Sequence, residues 1–168
     1  MLKKSLSVLL SICLLVALVA CGGGDNDQES VFLTKINESF VNMMRVEATF
    51  LTYKVQKLDT AKVSSLGAYS AKKDEVFNEA KTASLEYLTV IENNHSSVVS
   101  LYNDLLNSSN TSESLKTVAK EMYNDYEYMY ECVTEDLMLY LSWYKNFPDV
   151  VKSFDNSMTT YKNIYYNK

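Results

Sequence analysis

The residues able to do chemistry in this chain are few, and the pair to weigh first is Glu92 and His95. They stand as Glu-x-x-His, the spacing with which helices of carboxylate bundles hold a pair of metal ions. Such sites use the motif twice, and a chain with one histidine cannot repeat it. A solvated glutamate and histidine at a polar patch is the favoured reading, with Glu92 and His95 kept as weak metal-ligand candidates. A Ser-His-Asp arrangement would have to draw on the same histidine, and nothing near it supports one. Cys-x-x-Cys, Gly-x-Ser-x-Gly, His-Glu-x-x-His and a phosphate-cradling glycine loop do not occur. The expectation is a protein that is not an enzyme and uses no cofactor.

Two further features concern binding. From Glu121 to Asp136 the chain holds six acids and no base. Glu127, Glu131 and Glu135 lie four apart, so on a helix they share one face, and each like-charge pair costs a few tenths of a kcal/mol. Relief comes from solvent, from Arg45, Lys54, Lys57 and Lys62 on the first helix, or from a cation or basic partner. The solvated or internal explanation is favoured. The same stretch concentrates aromatic rings: Tyr123, Tyr126, Tyr128, Tyr130, Tyr140, Trp143 and Tyr144, out of 13 tyrosines in the chain. Some fill wide helix seams with the hydroxyl at the rim, but four tyrosines between 123 and 130 cannot all face one core. The surplus marks Tyr123, Tyr130 and Trp143, beside Glu127 and Glu131, as a candidate partner surface combining apolar area with charge selectivity. Cys132, among Met129, Tyr130 and Val133, reads as a small core or flank residue rather than a nucleophile.

The elements that must position these residues are helices. No glycine follows Gly67, and Pro148 is the one proline, a composition hard to reconcile with many strands and turns. Helices are expected at about Ser30 to Ser64, Ser70 to Asn107, Ser112 to Asn146 and Pro148 to Tyr166, with Gly67 in the first break and the polar run Asn107 to Ser112 in the second. The second helix carries a heptad seam, Phe77, Ser84, Ile91, Val98 and Leu105, interleaved by Ala80, Tyr87, Asn94 and Leu101. Asn94 on that seam reads as a polar residue that sets register. The third has Leu115, Met122 and Met129 with Ala119, Tyr126, Val133 and Tyr140, then shifts to Leu137, Leu141 and Tyr144. The first has Phe32, Ile36, Met43, Val46, Phe50 and Tyr53, and the fourth Phe147, Val151, Phe154, Met158, Tyr161 and Tyr165. At 1.5 Å per residue, three helices are roughly 50–57 Å long and the fourth about 28 Å. Short links make neighbours antiparallel, so the fold class is all-α: an elongated antiparallel bundle of three long helices and a shorter fourth.

Ahead of the helices, Lys3 and Lys4 precede an apolar run from Leu6 to Val19, and Leu18-Val19-Ala20-Cys21 ends it. The run is about 14 residues, short of the ~20 that a spanning helix needs, which makes it an export signal. Charge, apolar run and final tetrapeptide together resemble the signal peptide and lipobox of bacterial lipoproteins. The resemblance covers residues 1–21 and implies cleavage after Ala20 and a diacylglycerol on Cys21. The expected division is a cleaved signal at 1–20, a lipidated flexible tether at 21–29 and a helical domain at 30–168.

Gly22-Gly23-Gly24 and the polar residues after it suit a leash. Two acyl chains hold stably where one does not, at about 0.8 kcal/mol per buried methylene. Losing Lys3 and Lys4 takes the basic residues from 16 to 14 against 21 acids, a net −7 that disfavours nucleic acid and bare anionic lipid. An anchored helical module is loosely similar to small cell-wall-binding lipoproteins of Gram-positive bacteria. The expected function is binding a protein or wall polymer at the outer face of the cell membrane, the alternative being a small-ligand or metal carrier with a site between helices. Rich usage of Asn, Lys and Tyr favours a Gram-positive envelope over a periplasm. Cys21→Ser is expected to leave an uncleaved or secreted precursor in place of a membrane-bound mature form, read by detergent partitioning. Unchanged partitioning would sink the anchor.

Overall fold

The computed structural model describes residues 27–134 and 146–167, and within them every regular element is helical. Helix α1 spans Gln28–Tyr53, α2 Leu66–Ala83, α3 Leu85–Asn107, α4 Glu113–Thr134 and α5 Phe147–Tyr166. Partner residues run in opposite order between α1 and α3, α3 and α4, α4 and α5, and α1 and α5. The chain therefore goes up through α1, down through α2 and α3, up through α4 and down through α5. This is the expected all-α antiparallel bundle.

Three boundaries differ from the sequence expectation, each for a local reason. The leash was expected to reach Glu29, but Asp27 has extended backbone and its carboxylate accepts the Ser30 amide at 2.8 Å, so helix starts at Gln28. At its other end α1 stops being α-helical at Tyr53. Lys54–Leu58 forms a π turn in which the Asp59 amide reaches the Lys54 carbonyl at 2.9 Å, and the Lys54 ammonium holds Asp59 at 2.8 Å. Ser65 then caps the Ala68 amide at 3.2 Å, which draws Gly67 into the first turn of α2 rather than leaving it in the break.

A fourth difference is a break at Ser84, inside what reads as one helix. Its φ and ψ are −102° and 2°, its amide turns to the Lys81 carbonyl, and its hydroxyl donates to the Ala80 carbonyl at 2.9 Å. A hydroxyl back-bonded to a carbonyl four residues earlier competes with the helix ladder and bends it. The heptad seam survives the bend, since Phe77, Ser84, Ile91, Val98 and Leu105 are all buried. The expected seams of α1, α4 and α5 are buried at Phe32, Ile36, Met43, Val46 and Phe50, at Leu115, Ala119, Met122, Tyr126, Met129 and Val133, and at Phe147, Phe154, Met158 and Tyr161. The expected seam residues Leu137, Tyr140, Leu141 and Tyr144 lie outside the described residues.

Helix α1 packs on α2, α3 and α4, and its Phe40 ring stacks on Phe154 of α5 at 3.7 Å and 2°. It is accordingly buried on nearly every side, polar residues included: Glu29, Asn37, Ser39, Asn42 and Glu47. Glu29 and Asn42 are answered, whereas Asn37 Oδ1, Ser39 Oγ and Glu47 Oε2 have no hydrogen-bond partner. Glu29 accepts from Thr111 at 2.8 Å, and its backbone carbonyl accepts from the Tyr161 hydroxyl at 3.1 Å. On the seam with α3, Lys35 donates to the Asn94 side-chain oxygen and the Asn94 amide donates to Glu38, each at 3.1 Å. That places Asn94 in the cross-helix polar contact expected of a register-setting residue.

Glu47 is the ionisable one of the three left unanswered. It is 1 % exposed, and its Oε2 has no hydrogen-bond partner. Burial alone pushes its carboxyl from the ordinary 4.5 up to about 7. The folded state thus keeps a proton between pH 4.5 and 7 that the unfolded chain releases. Stability is highest below about pH 4.5 with respect to this group and falls as pH rises towards 7. The loss is about 3 kcal/mol, from roughly 1.4 kcal/mol per pKa unit. Glu47→Gln is expected to raise the urea midpoint at pH 8, to leave it little changed at pH 4.5 and to flatten the profile between. An equal shift at both pH values would refute the buried-carboxyl account.

Candidate interaction surface

The acidic, tyrosine-rich stretch forms α4 as far as Thr134, and its outer seam faces α3. In this antiparallel pair two residues seven apart on α3, His95 and Tyr102, meet two residues seven apart on α4, Tyr130 and Tyr123. The Tyr102 and Tyr123 rings stack at 3.9 Å and 3°. His95 and Tyr130 stack at 3.8 Å and 9°. Tyr126 lies between the two stacks, with its ring 5.9 Å from Tyr123 and 6.2 Å from Tyr130. Its hydroxyl sits 3.1 Å from His95 Nδ1. Five rings thus form a continuous ladder along the α3–α4 groove, half-buried at its edge and fully buried at Tyr126.

The electrostatics of the ladder follow from burial. Desolvation raises the phenols of Tyr102, Tyr123 and Tyr126 above the ordinary value of 10, aided at Tyr123 by the neighbouring Glu127 carboxylate. These hydroxyls stay protonated at neutral pH and act as hydrogen-bonding groups. Glu127 Oε1 lies 4.0 Å from His95 Nδ1, which gives a protonated His95 a carboxylate neighbour. Glu131, one turn further along, is exposed.

Tyr123 and Tyr130 were expected to lie away from the seam. Instead each is half-buried on the rim of it, with one ring face occupied by its α3 partner. Glu127 and Glu131 flank the ladder as the shared α4 face requires, whereas Trp143, Glu135 and Asp136 lie outside the described residues. The sequence missed the role of His95 as a stacking partner. The signal was present in the equal seven-residue spacings of His95 with Tyr102 and Tyr123 with Tyr130.

The remaining candidates separate from this surface. Glu92 is exposed while His95 turns to Tyr126 and Tyr130, and no cluster of three potential metal-ligating side chains occurs among the described residues. Of the four bases considered as compensation for the acidic face, Lys62 is exposed and the other three are engaged elsewhere. Lys57 bridges Glu79 at 2.6 Å, Lys54 bridges Asp59, and Arg45 bonds Asn42 at 3.3 Å and lies 5.5 Å over the Tyr87 ring. The inner acids of α4 turn instead to α5, Glu121 accepting from Ser157 at 3.3 Å. Burial pushes the Cys132 thiol up to about 11, so it is a protonated, half-buried flank residue at neutral pH.

An open cleft of about 700 Å³ lies between the π turn and α2, lined by Tyr53, Lys57, Asn78, Glu79 and Thr82 among others. The Lys57–Glu79 pair spans it.

Fold and surface define an all-α helical bundle with a histidine–tyrosine ladder in one groove. Set against family models, curated proteins and solved structures, the chain matches none.

The His95–Tyr130 stack should be energetically coupled. In a double-mutant cycle of His95→Ala and Tyr130→Ala the interaction energy is expected at roughly 1 kcal/mol, read from urea unfolding. Strict additivity would show that the two rings merely lie side by side.

Proposed function

We propose that the chain is a lipid-anchored envelope protein whose helical domain binds a partner without catalysis, the partner being a protein or a cell-wall polymer. The lipobox Leu18-Val19-Ala20-Cys21 supports the anchor. The aromatic ladder supports the binding role and is the observation that carries it. Its rings present half-buried edges beside exposed Glu131, and amphipathic rings next to charge are characteristic of protein and glycan contacts. The acidic neighbours select a basic, partly apolar partner.

A carrier with a site between helices at Glu92 and His95 is the weaker reading. His95 already has the Tyr126 hydroxyl on one nitrogen and a ring on its face.

The test is a photo-crosslinking amino acid placed at Glu131 on the α4 face and, as control, at Glu86 on α3, both exposed. In intact cells the Glu131 position is expected to give discrete adducts that are absent at Glu86 and weakened by Tyr123→Ala. Identical patterns at the two positions would remove the case for this surface.

A further inference from the structure

The two ends of the bundle differ, and the tether fixes which one can approach a bilayer. At one end meet the start of α1, the link between α3 and α4, and the last turn of α5. Three bonds tie them: Thr111 to Glu29 at 2.8 Å, Tyr161 hydroxyl to the Glu29 carbonyl at 3.1 Å, and Tyr165 hydroxyl to the Asp27 carboxylate at 3.0 Å. Tyr165 is half-buried with its edge against Tyr166, which is 60 % exposed. The neighbouring link, Asn107-Ser108-Ser109-Asn110, is uncharged.

The opposite end carries the π turn and the 59–65 link, with Val55, Val63, Leu66 and Tyr69 exposed. Between Lys54 and Lys73 it holds five lysines and one acid, in a chain that is acidic as a whole. By composition alone that basic, apolar end looks the better match for a membrane.

Chain length decides otherwise. Six residue steps separate Cys21 from Asp27, and at 3.3–3.6 Å per residue they reach at most about 20 Å. Helix α1, with 26 residues at 1.5 Å, is about 39 Å long. A lipid on Cys21 therefore holds the Asp27 end within about 20 Å of the bilayer, and the far end reaches it only if the bundle lies flat or tips past the horizontal. Lying flat would press exposed charged helix faces, such as Asp74, Glu75 and Lys81 of α2, onto the headgroups.

The geometry points to an end-on posture in which the rim formed by Tyr165 and Tyr166 rests at the headgroup level of the bilayer, the basic and apolar end standing outward. This rests on lipidation at Cys21. Tyrosine suits the location because its ring takes the apolar side and its hydroxyl the wet one. The Tyr165–Asp27 bond makes the rim and the residue that caps α1 one unit, so a lipid on Cys21 would pull on the rim directly. With no basic cluster at this end, the contact is expected to be the same on zwitterionic and anionic bilayers.

The experiment uses the full chain, processed in cells and reconstituted into phosphatidylcholine vesicles that carry a headgroup nitroxide. A bimane fluorophore is placed at Tyr166→Cys or at Leu66→Cys in a Cys132→Ser background. Both sites are exposed, and circular dichroism checks that each variant remains helical. Bimane at 166 is expected to be quenched several-fold more than bimane at 66, with and without added phosphatidylglycerol. Equal quenching, or stronger quenching at 66, overturns the posture while flotation of the protein with the vesicles upholds the anchor. Failure to float overturns both, which keeps the two conclusions separable.

Discussion

A helix buried on nearly every side leaves its polar residues little solvent, and α1 is such a helix, exposed only along a narrow stripe that includes Thr34, Glu38 and Thr52. Glu29, Asn37, Ser39, Asn42 and Glu47 all enter the interior with it. Thr111 and Tyr161 answer Glu29, and at the partly exposed edge of the same helix Asn94 bridges Lys35 and Glu38. Each contact reaches α1 from a different direction, from the α3–α4 link, from α5 and from α3. The polar interior of α1 thereby fixes the register of its surroundings in a way that interchangeable apolar side chains would not. Glu47 is left without that answer and remains protonated up to about neutral pH.

The ladder in the α3–α4 groove follows from that register. Two antiparallel helices bring equal spacings into opposition, so His95 and Tyr102 meet Tyr130 and Tyr123 once any one pair is set. Large rings at the rim widen the groove and leave its edge partly open to solvent. The same aromatic surface therefore serves the packing of α4 and, under the proposed function, would also offer contact area to a partner, and separating the two roles requires a pair-coupling measurement alongside a binding one.

The two ends of the bundle are chemically unlike, and that polarity fits an anchored protein. The rim near Asp27 is small, tyrosine-bearing and tied together by side-chain bonds, whereas the far end gathers lysines with exposed Val55, Val63 and Leu66. On an untethered protein the two ends would compete for any surface according to composition. With the proposed lipid on Cys21, six residue steps to Asp27 would replace that competition with a geometric constraint.

By itself the sequence determined what depends on local periodicity and local chemistry. The seven-residue seam through Phe77, Ile91 and Leu105, the cap at Ser112 and the start of α5 beside Pro148 are each settled within a turn or two of chain, so they are legible from residue types alone. Only the tertiary structure decided the rest. Ser84 keeps its seam position yet breaks its helix, because its hydroxyl bonds a carbonyl that the ladder would otherwise use, and heptad counting cannot register that. Glu47 falls among apolar neighbours that periodicity does not flag as enclosing it on every side. Tyr130 and His95 stand 35 positions apart in the chain, and what stacks them is the antiparallel pairing of α3 with α4. Propensity and pattern act over one helix, whereas partnership depends on which helices pack and in what register, and burial of the whole of α1 is what fixed both.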